Sequence, residues 1–101
     1  MGAHGTDDGS GWSVYLVRCL DGALYTGIAR DVERRLSEHR AGRGAKALRG
    51  RGPLVLVLAR RVGERGHALR VEAAIKRLKK SEKEVLAARA RLVEGLIRRA
   101  R

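Results

Sequence analysis

The chain has 101 residues, 44% hydrophobic but only 3% aromatic, with no Phe, one Trp and two Tyr. That length suits one domain whose modest core is built from Leu, Val, Ile and Ala, and sets aside a two-domain organisation. Lys and Arg number 23 against 11 Asp and Glu, a formal charge of +12, which self-repels in isolation and points to a polyanionic partner, nucleic acid first.

Residues 1–11, MGAHGTDDGSG, are Gly-rich and aperiodic and are expected to be a disordered lead-in; they lack the basic-then-apolar order of a signal peptide. One domain is expected over 12–101. Trp12–Leu20 reads as a strand, Asp21-Gly22 as a turn and Ala23–Ile28 as the returning strand of a β-hairpin. Cys19 stands alone in an apolar run, so it reads as a buried thiol in a reducing cytoplasm. Asp31 is placed to cap a short helix over Val32–His39, which Gly42 ends. The segment 42–52 carries four Gly with Arg43, Lys46, Arg49 and Arg51 among them. It reads as a mobile loop that contacts phosphate, with one helical turn near Ala45–Leu48.

Pro53 introduces Leu54–Ala59, a continuous apolar run that reads as a central strand covered on both faces. From His67, the stripe Ala68, Leu69, Val71, Ala74, Ile75, Leu78 predicts a helix that also carries Glu72. Ser81 with Glu84 reads as a capping box that opens a last helix running to Ile97 and the basic carboxy end. The order β-β-α-β-α-α predicts a small three-stranded, largely antiparallel sheet covered by helices, an α/β sandwich of the α+β class. No apolar stretch approaches the roughly 20 residues that span a bilayer, so no membrane partner is expected.

Hydrolysis of a phosphodiester at neutral pH needs a group that activates water, a group that holds the phosphoryl oxygens, and a charge that stabilises the leaving alkoxide. The candidates are Tyr15, Tyr25, Arg35, His39 and Glu72. Arg35 and His39 are four apart and project from one face of their helix. The two tyrosines share a face only in one hairpin register. A two-residue turn would pair Leu20 with Ala23 and separate them. A three-residue loop, Leu20-Asp21-Gly22 with Gly22 left-handed, pairs Cys19 with Ala23 and brings both rings to one side. It also gathers Val14, Leu16, Leu24 and Ile28 into a core face, so packing and chemistry favour the same register. The segment Gly42–Lys46 lacks the second Gly before Lys and the hydroxyl residue after it, so no nucleotide-binding P-loop is proposed.

Ser13-Val14-Tyr15, Tyr25-Thr26-Gly27, Arg35 ten residues after the second Tyr, His39 and Glu72 together resemble the GIY-YIG nuclease family. The wider pattern, with Glu33-Arg-Arg-Leu, Gly44-Ala-Lys and Ala73-Ala-Ile-Lys-Arg-Leu, resembles its small standalone bacterial branch over roughly residues 12 to 86. It is also similar to the nuclease domain of the UvrC repair protein and of eukaryotic structure-specific endonucleases. The resemblance implies a divalent-metal-dependent endonuclease using Mg2+ or Mn2+ and acting on nucleic acid, with DNA favoured over RNA. In that reading Tyr15 and Tyr25 line the site, Tyr25 or a neighbour positions or deprotonates the water, and Arg35 holds the scissile phosphate. His39 relays a proton or orients a tyrosine, and Glu72 is the protein carboxylate on the metal.

Arg43, Lys46, Arg49, Arg51 and Lys76 are the candidate nucleic-acid contacts. Ser13, Val14 and Thr26 depart from the family's motif letters. Ile28 stands where the repair branch has Lys, whose role is absent here or falls to Lys46. The alternative function is a nucleic-acid-binding module with the nuclease fold but little activity without a protein partner. Oligomeric state is left open.

Overall fold

Val14, Tyr15, Leu16 and Val17 are all buried, at most 2% exposed, and four consecutive buried strand residues require cover on both faces of the sheet. The computed structural model, which describes residues 11–101, supplies that cover. Strand β1 (Trp12–Arg18) is the middle of a three-stranded antiparallel sheet, flanked by β2 (Leu24–Ala29) and β3 (Val55–Gly63). Helix α1 (Val32–Arg40) follows β2, and α2 (Arg65–Lys76), α3 (Lys80–Ala88) and α4 (Val93–Arg99) follow β3. The expected α+β sandwich is therefore the observed architecture. Of the lead-in expected over 1–11, all but Gly11 lies outside the described residues.

The hairpin uses the three-residue loop. Cys19 N–H donates to the Ala23 carbonyl at 2.9 Å, and Gly22 has φ +89°, a conformation glycine adopts without steric cost. Tyr15 consequently pairs with Gly27 and Val17 with Tyr25. One sheet face, with Val14, Leu16 and Leu58, packs under Val71 and Ile75 of α2, Leu86 of α3, and Val93 and Ile97 of α4. The other, with Tyr15, Val17 and Cys19, packs against Leu36 of α1 and the loop residues Leu48 and Leu54. Asp31 caps α1, its carboxylate accepting from Arg34 N–H at 3.0 Å.

Three expectations are corrected. The apolar run at 54–59 belongs to an edge strand, not the central one. β1 takes the centre because nothing charged interrupts it from Ser13 to Val17, whereas β3 continues into Arg60 and Arg61, which an edge can hold in solvent. The last helix is two helices. Arg89, at φ −129° and ψ 73°, breaks it and a 3-10 turn over Ala90–Leu92 reorients the chain. An unbroken helix from 80 to 99 would be about 30 Å long, close to the 34 Å longest extent of the whole fold. The break lets α4 fold back onto α2. α3 also starts earlier than expected: Lys79 N–H donates to Glu82 at 2.8 Å, and Glu84, read as the box partner of Ser81, instead pairs with Arg18 at 2.7 Å.

The basic loop at 42–52 contains the expected helical turn and is anchored to the hairpin. Its 3-10 turn spans Lys46–Leu48, Leu48 is buried, and Leu20 N–H donates to the Arg51 carbonyl at 3.0 Å.

Candidate active site

The β2 edge of the sheet borders a cleft of about 530 Å³. Helix α1 reaches it from one face of the sheet and α2 from the other. Tyr15, Tyr25, Arg35 and Glu72 all line it, which brings four of the five chemically interesting residues of the sequence to one place. The fifth, His39, lies directly behind, buried beneath the tyrosines.

Tyr15, Tyr25 and His39 form a cluster of three rings, with centroids 5.8 to 6.4 Å apart. Gly27 makes room for it, since a Cβ there would sit 2.6 Å from Tyr15 Cζ. Tyr15 Oη and His39 Nε2 are 2.8 Å apart, and the direction of that bond follows from the other ring nitrogen. Ala45 N–H donates to His39 Nδ1 at 3.1 Å, so Nδ1 carries the lone pair and Nε2 the proton. His39 therefore donates to Tyr15, whose own proton is left for a different acceptor. Burial, and then the Arg35 charge, push the His39 pKa below its ordinary value, which keeps the ring neutral. Gly44 is what allows the loop to approach: a side chain there would collide with His39 Nδ1.

Burial first, and then the neighbouring Tyr25, push the Tyr15 pKa up to about 12, against the opposing pull of Arg35. At neutral pH Tyr15 is a proton donor. Among the described residues the Tyr25 hydroxyl has no hydrogen-bond partner in the protein, and it lines the cleft.

Both groups with the clearest phosphate and cation chemistry are engaged. Arg35 Nη1 donates to Glu38 at 2.9 Å, which holds Glu38 below the usual carboxylate range. Glu72, its side chain 17% exposed, pairs with Lys76 at 3.4 Å. Among the described residues no group of three or more His, Cys, Asp and Glu could cage a metal ion. Of the three carboxylates that line the cleft, Asp31 caps α1 and Glu38 holds Arg35, which leaves Glu72 beside two phenol hydroxyls as an all-oxygen set. It suits a hard cation that keeps most of its waters and takes further ligands from substrate phosphate.

None of the expected nucleic-acid contacts, Arg43, Lys46, Arg49, Arg51 and Lys76, lines the cleft. Arg43, Lys46 and Arg49 are exposed on the loop between α1 and β3, while Arg51 is spent on Asp21 at 2.9 Å. Lys46 does not line the cleft, so nothing in the geometry gives it the place of the Lys that Ile28 replaces. Sequence reasoning missed Glu38, for which the signal was its position three residues after Arg35. It also missed Arg65, whose guanidinium lies 5.5 Å from the Trp12 ring centroid at the cleft rim, together with the rim residue Arg34.

Comparison with known proteins agrees with this geometry. The family model described as GIY-YIG catalytic domain matches residues 11–85. A UPF0213 protein of Citrobacter koseri is 52% identical over 86 residues, covering 85% of this chain and 86% of that one. The UPF0213 protein encoded in the potE 3' region of Serratia liquefaciens is 54% identical over 81 residues, covering 80% and 79%. Among solved structures, the solution NMR structure of the UPF0213 protein BH0048 from Bacillus halodurans is 42% identical, with a TM-score of 0.51 and coverage of 76% of this chain and 82% of that one. The chain belongs to the GIY-YIG nuclease family, in the company of its small standalone bacterial members.

Proposed function

We propose that the protein is a divalent-metal-dependent endonuclease that hydrolyses phosphodiester bonds in DNA, with a preference for structured DNA over plain duplex, in the cytoplasm. The observation that carries this reading is the convergence of Tyr15, Tyr25, Arg35 and Glu72 on one cleft bordered by a basic surface. When bound, Mg2+ or Mn2+ would withdraw charge from the phosphoryl oxygens and lower the barrier to water attack. Glu72 would hold it, which requires Lys76 to give up its pairing. Arg35, leaving Glu38, grips the phosphate and stabilises the charge that grows on it.

Tyr25 positions the attacking water through its open hydroxyl. The water oxygen bonds to phosphorus as the bond to the leaving oxygen breaks; the water gives up one proton to bulk solvent and the leaving oxygen takes one up. Tyr15, held as a phenol and oriented by the Nε2–H of His39, is suited to the donating side of that exchange. Of the two roles the resemblance implies for His39, orienting a tyrosine fits the geometry. A relay does not, because the Ala45 N–H occupies the only basic nitrogen. No helix among the described residues is long and apolar enough to cross a membrane.

A second reading, a binding module that cuts only with a partner, draws on the two internal ion pairs that occupy Arg35 and Glu72. Cleavage of labelled single-stranded, duplex, flap and branched DNA and of RNA, with Mg2+ or Mn2+, separates the two. Glu72→Ala and Arg35→Ala are each expected to lower the rate about 100-fold or more while nucleic acid still binds. Binding without cutting on every substrate would favour the module.

A further inference from the structure

Helix α2 has three faces. At 100° per residue, Ala68, Val71 and Ile75 fall together and enter the core; Arg65, Leu69 and Glu72 fall together and line the cleft described above. The remaining face, with Arg70, Ala73, Ala74 and Arg77, borders a second cleft of about 460 Å³, closed on its far side by Leu96 and Arg99 of α4. The two clefts thus lie about 120° apart around one helix some 10–12 Å across.

The arginines of this second cleft have no carboxylate side chain among its lining residues. Several arginines elsewhere are matched by carboxylates, Arg18 by Glu84, Arg35 by Glu38, Arg51 by Asp21 and Arg60 by Glu94, and others stand singly on the surface; here Arg70, Arg77 and Arg99 border one groove. Among the described residues no carboxylate side chain pairs with Arg70, Arg77 or Arg99, and none lines the cleft. Arg70 is steadied instead by the Ala100 carbonyl, which accepts from its Nε at 2.8 Å. Like charges gathered in a groove with an apolar floor, on a chain of net charge +12, repel one another unless an anion lies between them. All of them are arginines, whose planar fork fits phosphate oxygens in pairs.

We propose that the α2/α4 cleft is a second phosphate-backbone site, which grips one segment of a nucleic acid while another segment of the same molecule occupies the catalytic cleft. α2 then stands between two strands or arms, and a branched or flapped substrate is the shape that fills both clefts. The proposal rests on the reading above only in taking nucleic acid as the ligand.

The test is binding by the full chain in EDTA, so that nothing is cut, followed by fluorescence anisotropy across a NaCl series. The probes are a flap duplex and a short single strand long enough for one cleft. Arg77→Gln with Arg99→Gln is compared with Arg61→Gln with Arg91→Gln, exposed arginines outside both clefts that make the same change in net charge. The cleft pair is expected to weaken flap binding about tenfold or more and to reduce the salt slope by about 2. It should leave the short strand within about twofold, as should the control pair with both probes.

Absence of any binding by the wild type would remove the nucleic-acid reading itself. Wild-type binding with equal losses in the cleft and control pairs would overturn the second site alone, as would equal losses on flap and short strand. Tighter binding of a polyglutamate peptide than of an oligonucleotide of equal charge, abolished in the cleft pair, would overturn it in favour of an acidic protein partner.

Discussion

His39 shows how one backbone N–H can decide the role of a side chain. A histidine near the end of a helix, read from sequence, could interact with the helix dipole or take part in chemistry, and nothing in the helix itself distinguishes these. The Ala45 N–H does, because it fixes the tautomer and so makes His39 a donor to Tyr15. Two consequences are measurable. Nitrogen chemical shifts should report a neutral ring with its proton on Nε2 at pH 7; a proton on Nδ1 would sink the assignment. The folded pKa lies below the ordinary 6.5, so the unfolded chain binds the proton first as pH falls. The contribution to stability is thus fully present above pH 6.5 and is lost as pH falls from there through the folded pKa. Urea denaturation midpoints of the wild type and of His39→Gln should accordingly converge as pH is lowered below 6.5. A gap that stayed constant to pH 5 would mean that the ring is not buried neutral.

At the scale of elements, Arg18 ties the end of β1 to the helix packed over its own face of the sheet. From the end of β1 its guanidinium donates to both oxygens of Glu84 on α3, at 2.7 and 2.8 Å, with Lys80 on the same carboxylate at 2.7 Å. These bonds, that from Arg18 first, hold the Glu84 pKa down to about 2. A depressed carboxylate stabilises the fold above its unfolded pKa, near 4.5, and that stabilisation disappears as pH falls from about 4.5 to about 2. Glu84→Gln should therefore destabilise the protein at pH 7, and the two unfolding curves should merge by about pH 2. The effect should be modest, because the pair is solvent-exposed and screened by salt. Curves that coincided at pH 7 already would show that the tether contributes nothing.

Elements were legible in the sequence to different depths. The hairpin register followed from side-chain parity, since only one loop length put both tyrosines on one face and a coherent apolar set on the other. The Asp31 cap and the stripe that carries Glu72 were legible because each is local. The order of strands was not, since an apolar run identifies a strand without its neighbours. Nor was the break at Arg89, where φ is negative and neither Gly nor Pro marks the turn. Pairings that no periodicity or motif marks, the short-range one of Ala45 with His39 and the long-range one of Arg18 with Glu84, left no sequence signal at all.

For the molecule as a whole the dominant fact is charge. A net charge of +12 on 101 residues raises the free energy of the compact state, because folding brings the cations closer than they are in the open chain. The paired arginines offset only part of this, and each exposed pair contributes little. Added salt should then act with opposite signs on two properties. Screening relieves the global repulsion, so the melting temperature of the free protein should rise as NaCl goes from about 0.05 to 0.5 M, where the Debye length falls below about 10 Å. A gain of about 1 kcal/mol would appear as roughly 4–8 °C for a domain of this size. Over the same range nucleic-acid affinity should fall steeply, since each phosphate contact releases a counterion. Calorimetric melting of the free chain, run beside anisotropy titrations in the same buffers, measures both. A melting temperature that fell with added NaCl would mean that local pairs such as Arg18 with Glu84 outweigh the repulsion. The excess positive charge would then need no polyanion to explain how the fold tolerates it.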